Sequence, residues 1–275
     1  MQRGTHAATL ICAGTFVADS VTALGAEVGG HVLIAGSHCG VYAAFAAARA
    51  KVRAVILNDA GIGLDQAGIG GLAYLERIGI PAAAIDYQSA RIGDGRDSAA
   101  RGVLSHVNEP ARALGCVPGQ RALDAAMRLQ AAPLPRMQVP EVEEARHCLG
   151  VSGATAGVIG LDSASLVSND DAGRIVVTAS HGGLLGADPG TALKAAARAA
   201  FFNDAGVGCD GAGISRLPEL DRRGIAAGTV SHWTARIGDA RSSWQTGVLS
   251  HVNVTAEKAG AMRGMRLQEF VRLLG

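Results

Sequence analysis

Short, almost wholly apolar runs alternate along the chain with Ala-rich or amphipathic stretches, and glycines and polar residues fall between them. His31 to Ala35 is a brief apolar run closed by Gly36, the pattern of a strand buried on both faces. Val41 to Ala50 is Ala-rich and predicts a helix, and Val52 to Leu57 predicts a second buried strand followed by a Gly-rich loop from Asn58 to Gly68. Gly70 to Ile78 reads as a helix closed by Gly79, Ile80 to Ile85 as a third strand, and Tyr87 to Arg96 as a loop. Asp97 or Ser98 stands where a helix cap belongs, and the next helix is expected to run toward Leu114 and stop at Gly115. Ala8 to Cys12 predicts one further strand.

The same pattern then returns. Asn58-Asp59-Ala60-Gly61 recurs as Asn203-Asp204-Ala205-Gly206, an offset of 145. At that offset Ala90-Arg91-Ile92-Gly93-Asp94 matches Ala235 to Asp239, and Gly102-Val103-Leu104-Ser105-His106-Val107-Asn108 matches Gly247 to Asn253. Upstream the offset is 143, pairing Ser37-His38 with Ser180-His181 and Asp19-Ser20 with Asp162-Ser163, so two residues separate the copies between His38 and Asn58. Order, spacing and identity agree, and the reading is an internal duplication. The expected organisation is a first α/β repeat over 1–131, a linker over 132–148 containing Pro133, Pro135 and Pro140, and a second repeat over 149–275.

Strand, loop and helix in repetition, with near-continuous apolar strands, predict an α/β fold. Each repeat is expected to be a three-layer unit with a mainly parallel sheet, and the two to be related by a pseudo-twofold. Right-handed crossovers bring every strand-to-helix loop to the carboxyl edge of such a sheet, where ligands bind. Ser37-His38, Asn58-Asp59 and the Arg91 to Arg96 loop each follow a strand, so all three are expected to converge on one cleft.

Composition narrows the class. The chain is 48% hydrophobic and 18% charged, with a net charge of +1 and no basic run, which argues against a nucleic-acid partner. No apolar stretch approaches the roughly 18 residues of a membrane span, and Met1 to Cys12 lacks the length of a secretory leader. Five cysteines without a CxxC pair argue against a disulfide framework or zinc ribbon, so no membrane and a cytoplasmic location are expected. The dinucleotide fingerprint is broken at Gln66, and no Walker A sequence is present.

The candidate chemistry sits in the recurring motifs. His38 and His181 are candidate general bases, oriented by Asp59 and Asp204. Arg91, Arg96, Arg236 and Arg241 are candidate forks for a carboxylate or phosphate, with Asp94 and Asp239 beside them. Ser37, Asn58, Ser180 and Asn203 would complete the substrate site. Ser105 and Asn108, with Ser250 and Asn253, are expected on one helical face together with Gly102, facing substrate or the sister repeat. Against each stands a plain structural use: Asx turns, helix caps, or Arg–Asp pairs that stiffen a loop.

The expectation is an enzyme acting on a small anionic metabolite, a hydrolase by preference, with a lyase or isomerase abstracting a proton beside a carboxylate as alternative. No organic cofactor is predicted, and a divalent metal held by His38, Asp59 and Asp94 is a further variant. A non-catalytic ligand-binding or assembly module is the other class, and a homo-oligomer is compatible with either.

Overall fold

In the computed structural model, residues 8–136, 138–150 and 157–274 are described; Met1 to Ala7 and Met137 of the expected linker lie outside the described residues. The first half forms a six-stranded sheet of β1 (Thr9–Cys12), β2 (Thr15–Ala18), β3 (Val32–His38), β4 (Ala54–Asn58), β5 (Ala82–Ile85) and β6 (Leu104–Val107), in that spatial order. Strands β2 to β5 run parallel, and β1 and β6 are antiparallel edges. The inner strands are buried at almost every position, as the unbroken apolar runs require for a sheet covered on both faces.

Helices α1 (Val41–Arg49) and α2 (Gly70–Arg77) cover one face, where Phe45, Leu72 and Leu75 meet Leu33, Val55 and Leu57. Helices α3 (Gly95–Arg101), α4 (Glu109–Ala113) and α5 (Ala122–Leu129) cover the other, over Ile34, Ile56 and Ile85.

The second half repeats this order. Strands β7 (Arg146–Cys148), β8 (Val158–Leu161), β9 (Ile175–His181), β10 (Ala199–Asn203), β11 (Ala226–Val230) and β12 (Leu249–Val252) form a second sheet with the same pairing directions. Helix α6 (Arg216–Arg222) lies on one side, and α7 (Ala240–Thr246), α8 (Val254–Lys258) and α9 (Leu267–Leu273) on the other. The halves differ in one layer. Where the first has α1, residues 182–198 hold only a short 3-10 turn at Pro189–Thr191, because Gly182, Gly183, Gly186, Pro189 and Gly190 leave no stretch able to sustain a helix.

Two expectations change. Leu104 to Val107 and Leu249 to Val252 are edge strands and not helix: α3 stops at Gly102, where a Cβ would sit 2.4 Å from the Ser98 carbonyl oxygen. Asp94, ahead of the expected Asp97 or Ser98, is the cap of α3, accepting from the Asp97 N–H. The Pro-rich segment is also more than a tether. Val139 and Val142 pack on the first core, the Tyr74 hydroxyl donates to the Pro140 carbonyl, and Arg146 to Cys148 are already a strand of the second sheet.

Candidate functional site

The loops at the carboxyl ends of the parallel strands in one half meet those of the other. Leu64 N–H donates to the His232 carbonyl at 2.8 Å, and Cys209 N–H donates to the Tyr87 carbonyl at 3.0 Å. Arg91 pairs with Asp210 at 2.9 Å, and Arg236 with Asp65 at 3.3 Å. Each contact therefore has a counterpart with the halves exchanged. Ala60, Ile92, Ala205, Ala212 and Ile237 form the small apolar cluster between them.

A cavity of about 600 Å³ opens beside this junction, lined from both halves by Ser37, His38, Ser180 and His181. Neighbours on a regular strand point to opposite faces, yet Ser37 and His38 line one space. The register explains it. Between the pairs Ile34–Ile56 and His38–Asn58, four residues of β3 run against two of β4, and β9 makes the same bulge against β10 between Val177–Phe201 and His181–Asn203. Such bulges re-aim side chains.

Both imidazoles are held alike. Gly40 N–H donates to His38 Nδ1 and Gly183 N–H donates to His181 Nδ1, each at 3.1 Å. A nitrogen that accepts carries no proton, so the neutral ring bears its proton on Nε2. Burial keeps both rings neutral: His38 is lowered to about 4, and His181 is held well below its ordinary value by desolvation, then by Arg216 and His38. Among the described residues neither Nε2–H has a hydrogen-bond partner. The rings reach across the junction, His181 beside Gly93 and His38 beside Gly238, both glycines at positive φ.

The cavity wall is rich in hydroxyls. Ser37 and Ser180 Oγ accept the N–H groups of Val21 and Ala164, at 3.0 and 2.9 Å. Ser20 bonds Thr22 at 2.9 Å, and Ser163 bonds Ser165 at 2.8 Å. Glu144, from the connecting segment, lines the same space beside Tyr42 of α1 and Ser163, and Ser165 Oγ donates to its Oε2 at 3.5 Å. Desolvation raises its pKa. Arg216 lines it too, 4% exposed, bonded through Nε to the Gly183 carbonyl and through Nη1 to those of Thr191 and Ala192.

The other expected residues have different uses. Asp59 and His38 do not hydrogen-bond. Asp59 accepts from the Gly61 and Tyr87 N–H groups, and burial raises its pKa. Asp204 accepts from Gly206 and from His232, whose Nδ1 lies at 2.8 Å, and its pKa falls despite burial through the bonds from His232. Asn58 and Asn203 are fully buried loop ties to Ala90 and Ala235. Asn108 and Asn253 cap α4 and α8 and bond Ala82 and Ala227. Ser105 and Ser250 bond the carbonyls of Ala84 and Thr229.

Asp94 and Asp239 cap α3 and α7. Arg96 is exposed, and Arg241 donates to His147. None of the four expected arginines lines the cavity. Nor do His38, Asp59 and Asp94 gather: among the described residues no three His, Cys, Asp or Glu side chains are grouped to hold a metal ion.

Glu144 and Arg216 were not legible as site residues in the sequence, because neither belongs to a motif that recurs in both halves. Glu144 lies in the connector, and Arg216 stands where the first half has Gly71. In that half α1 leaves no room, since a Cβ on Gly71 would lie 2.7 Å from the Ala44 Cβ. The departure from the repeat was itself the signal. No protein-family model, curated protein or solved structure matches the chain significantly.

Proposed function

We propose that this chain is an enzyme that moves a proton at carbon beside a carbonyl group of a small molecule held between its halves, in the manner of an isomerase or lyase. The observation that carries the reading is the pair of imidazoles, each accepting a backbone N–H at Nδ1, that line one cavity. A ring whose Nδ1 accepts and whose Nε2 is protonated is a poor base and a good electrophile. It polarises a carbonyl oxygen and stabilises the enolate that forms there. The base role then passes to Glu144, whose raised pKa suits a carboxylate that takes up and returns a proton. The C–H pair of electrons becomes the enolate, the proton goes to Glu144, and reprotonation at carbon or loss of a neighbouring leaving group completes the turnover.

The reading includes descent of both halves from one duplicated unit, supported by recurrence of the motifs at equivalent positions, and a cytoplasmic setting compatible with the free thiols of Cys39 and Cys116. The test is a panel of small oxo acids, hydroxy acids, lactones and amides incubated with the protein in D2O and, separately, in H2 18O. Deuterium should enter at the carbon beside the carbonyl. Glu144→Gln should slow exchange at least about 100-fold, and His38→Gln or His181→Gln by a comparable factor, as expected for loss of a base or an oxyanion donor. Exchange unaffected by Glu144→Gln would overturn the assignment, and 18O incorporation without exchange would return the protein to the hydrolases.

A further inference from the structure

Arg216 is a buried cation with no carboxylate partner. It is 4% exposed, and among the described residues no ion pair includes it. Nε and Nη1 are engaged by three backbone carbonyls, while Nη2 has no hydrogen-bond partner among those residues. The guanidinium stacks over Phe202, 5.1 Å from the ring centroid. Desolvation brings its pKa down only to about 10, so it remains charged near neutral pH. An isolated buried charge is costly unless something compensates it. Arg216 lines the cavity and lies close enough to His181 to depress the protonation of that ring.

We propose that Arg216 is the anion anchor of this cavity and that the ligand is a monocarboxylate whose carboxylate meets Nη2 while its carbonyl oxygen meets His181 and His38. The inference rests on the carbonyl-polarising reading of the two histidines and supplies the substrate class. Carboxylate is favoured over phosphate by charge: the cations Arg216 and Lys194 share the space with the carboxylates Glu144 and Asp188, so no excess of positive charge is there to meet a dianion. The site belongs to the second half alone, because Gly71 occupies the matching position of the first. The lining mixes hydroxyls and charged groups with apolar side chains such as Val21, Ala43 and Leu193, and an anchor present in one half alone fixes a single direction for the ligand.

Binding to the wild-type protein tests this with matched probes, read by ligand-observed NMR. Pyruvate and pyruvamide differ at the carboxylate, and pyruvate and propionate differ at the carbonyl. Pyruvate should bind at least 10-fold more tightly than pyruvamide, and inorganic phosphate should not compete with it. Arg216→Gln should erase the preference for acid over amide. Because Arg216 also holds residues 183–192, its melting temperature is compared with wild type, and the wild-type probe pairs stand whether or not the variant folds. Equal affinity for pyruvate and pyruvamide, no binding of either acid, or displacement by phosphate would overturn the anchor. Equal affinity for pyruvate and propionate, with acid still preferred over amide, would leave the anchor intact and sink the role of the histidines instead.

Discussion

At the scale of single residues, a half-buried neutral imidazole has a thermodynamic sign. His38 has a pKa of about 4 in the folded protein against 6.5 when free. Between those values the unfolded chain binds the extra proton, so stability rises with pH and is lost as pH falls from 6.5 toward 4. The full difference is on the order of 3 kcal/mol. His181 acts in the same direction. Glu144 and Asp59, both raised, act in the opposite one over part of the window, and Arg216 stays charged throughout. The difference between variants isolates the ring. Urea unfolding at pH 7 and pH 4.5 should show His38→Gln losing less stability than wild type across that interval. Equal losses would mean that the ring is not held neutral. The lowered Asp171 and Asp204 titrate below the window, since their stabilisation is present above about 4 and is lost only as pH falls through their depressed values.

At the scale of elements, the strands were the most legible feature, because a strand buried on both faces must be apolar at successive positions. Val32 to His38 and Ala54 to Asn58 follow that rule. Leu104 to Val107 was not legible as a strand: its outer positions are buried and its middle two half-buried, a pattern too short to separate from a helical stripe. The bulge at Ser37 was equally hidden, since register depends on the neighbouring strand. Gly93 serves the fold. It has φ +85°, a Cβ there would lie 2.2 Å from the Leu184 carbonyl oxygen, and its own carbonyl accepts from Gly186. Gly93→Ala should therefore cost at least about 3 kcal/mol in chemical denaturation and disturb His181, 3.3 Å from the same Cβ position. Gly79, at φ +71° with nothing within 4 Å, is the control, and its change to Ala should cost about 1 kcal/mol. Similar losses at both sites would mean that backbone conformation alone, and not the crossing of the halves, sets the requirement.

At the scale of the whole molecule, the recurring motifs revealed the scaffold and concealed part of the site. Residues kept in both halves are largely those that build the halves and join them: asparagine ties, aspartate caps, and the arginines paired across the junction. Arg91 is 45% exposed and its partner Asp210 49%, a setting in which water and salt screen an ion pair strongly. Ile92 is 3% exposed and sits among Ala60, Ala205, Ala212 and Ile237, all small or branched apolar groups from the two halves. The next residue, Gly93, carries one of the backbone hydrogen bonds that cross the same junction. If burial and backbone bonding hold the halves together, the neighbours Arg91 and Ile92 must behave differently. Ile92→Ala should lower stability by about 2–4 kcal/mol as a cavity opens at the junction. Arg91→Ala should shift the urea midpoint only slightly, should lose even that shift in high salt, and should leave carboxylate binding unchanged. A large, salt-sensitive loss on Arg91→Ala would mean that charge rather than packing joins the halves, and a loss of carboxylate affinity would return the anion site to the loop where the sequence first suggested it.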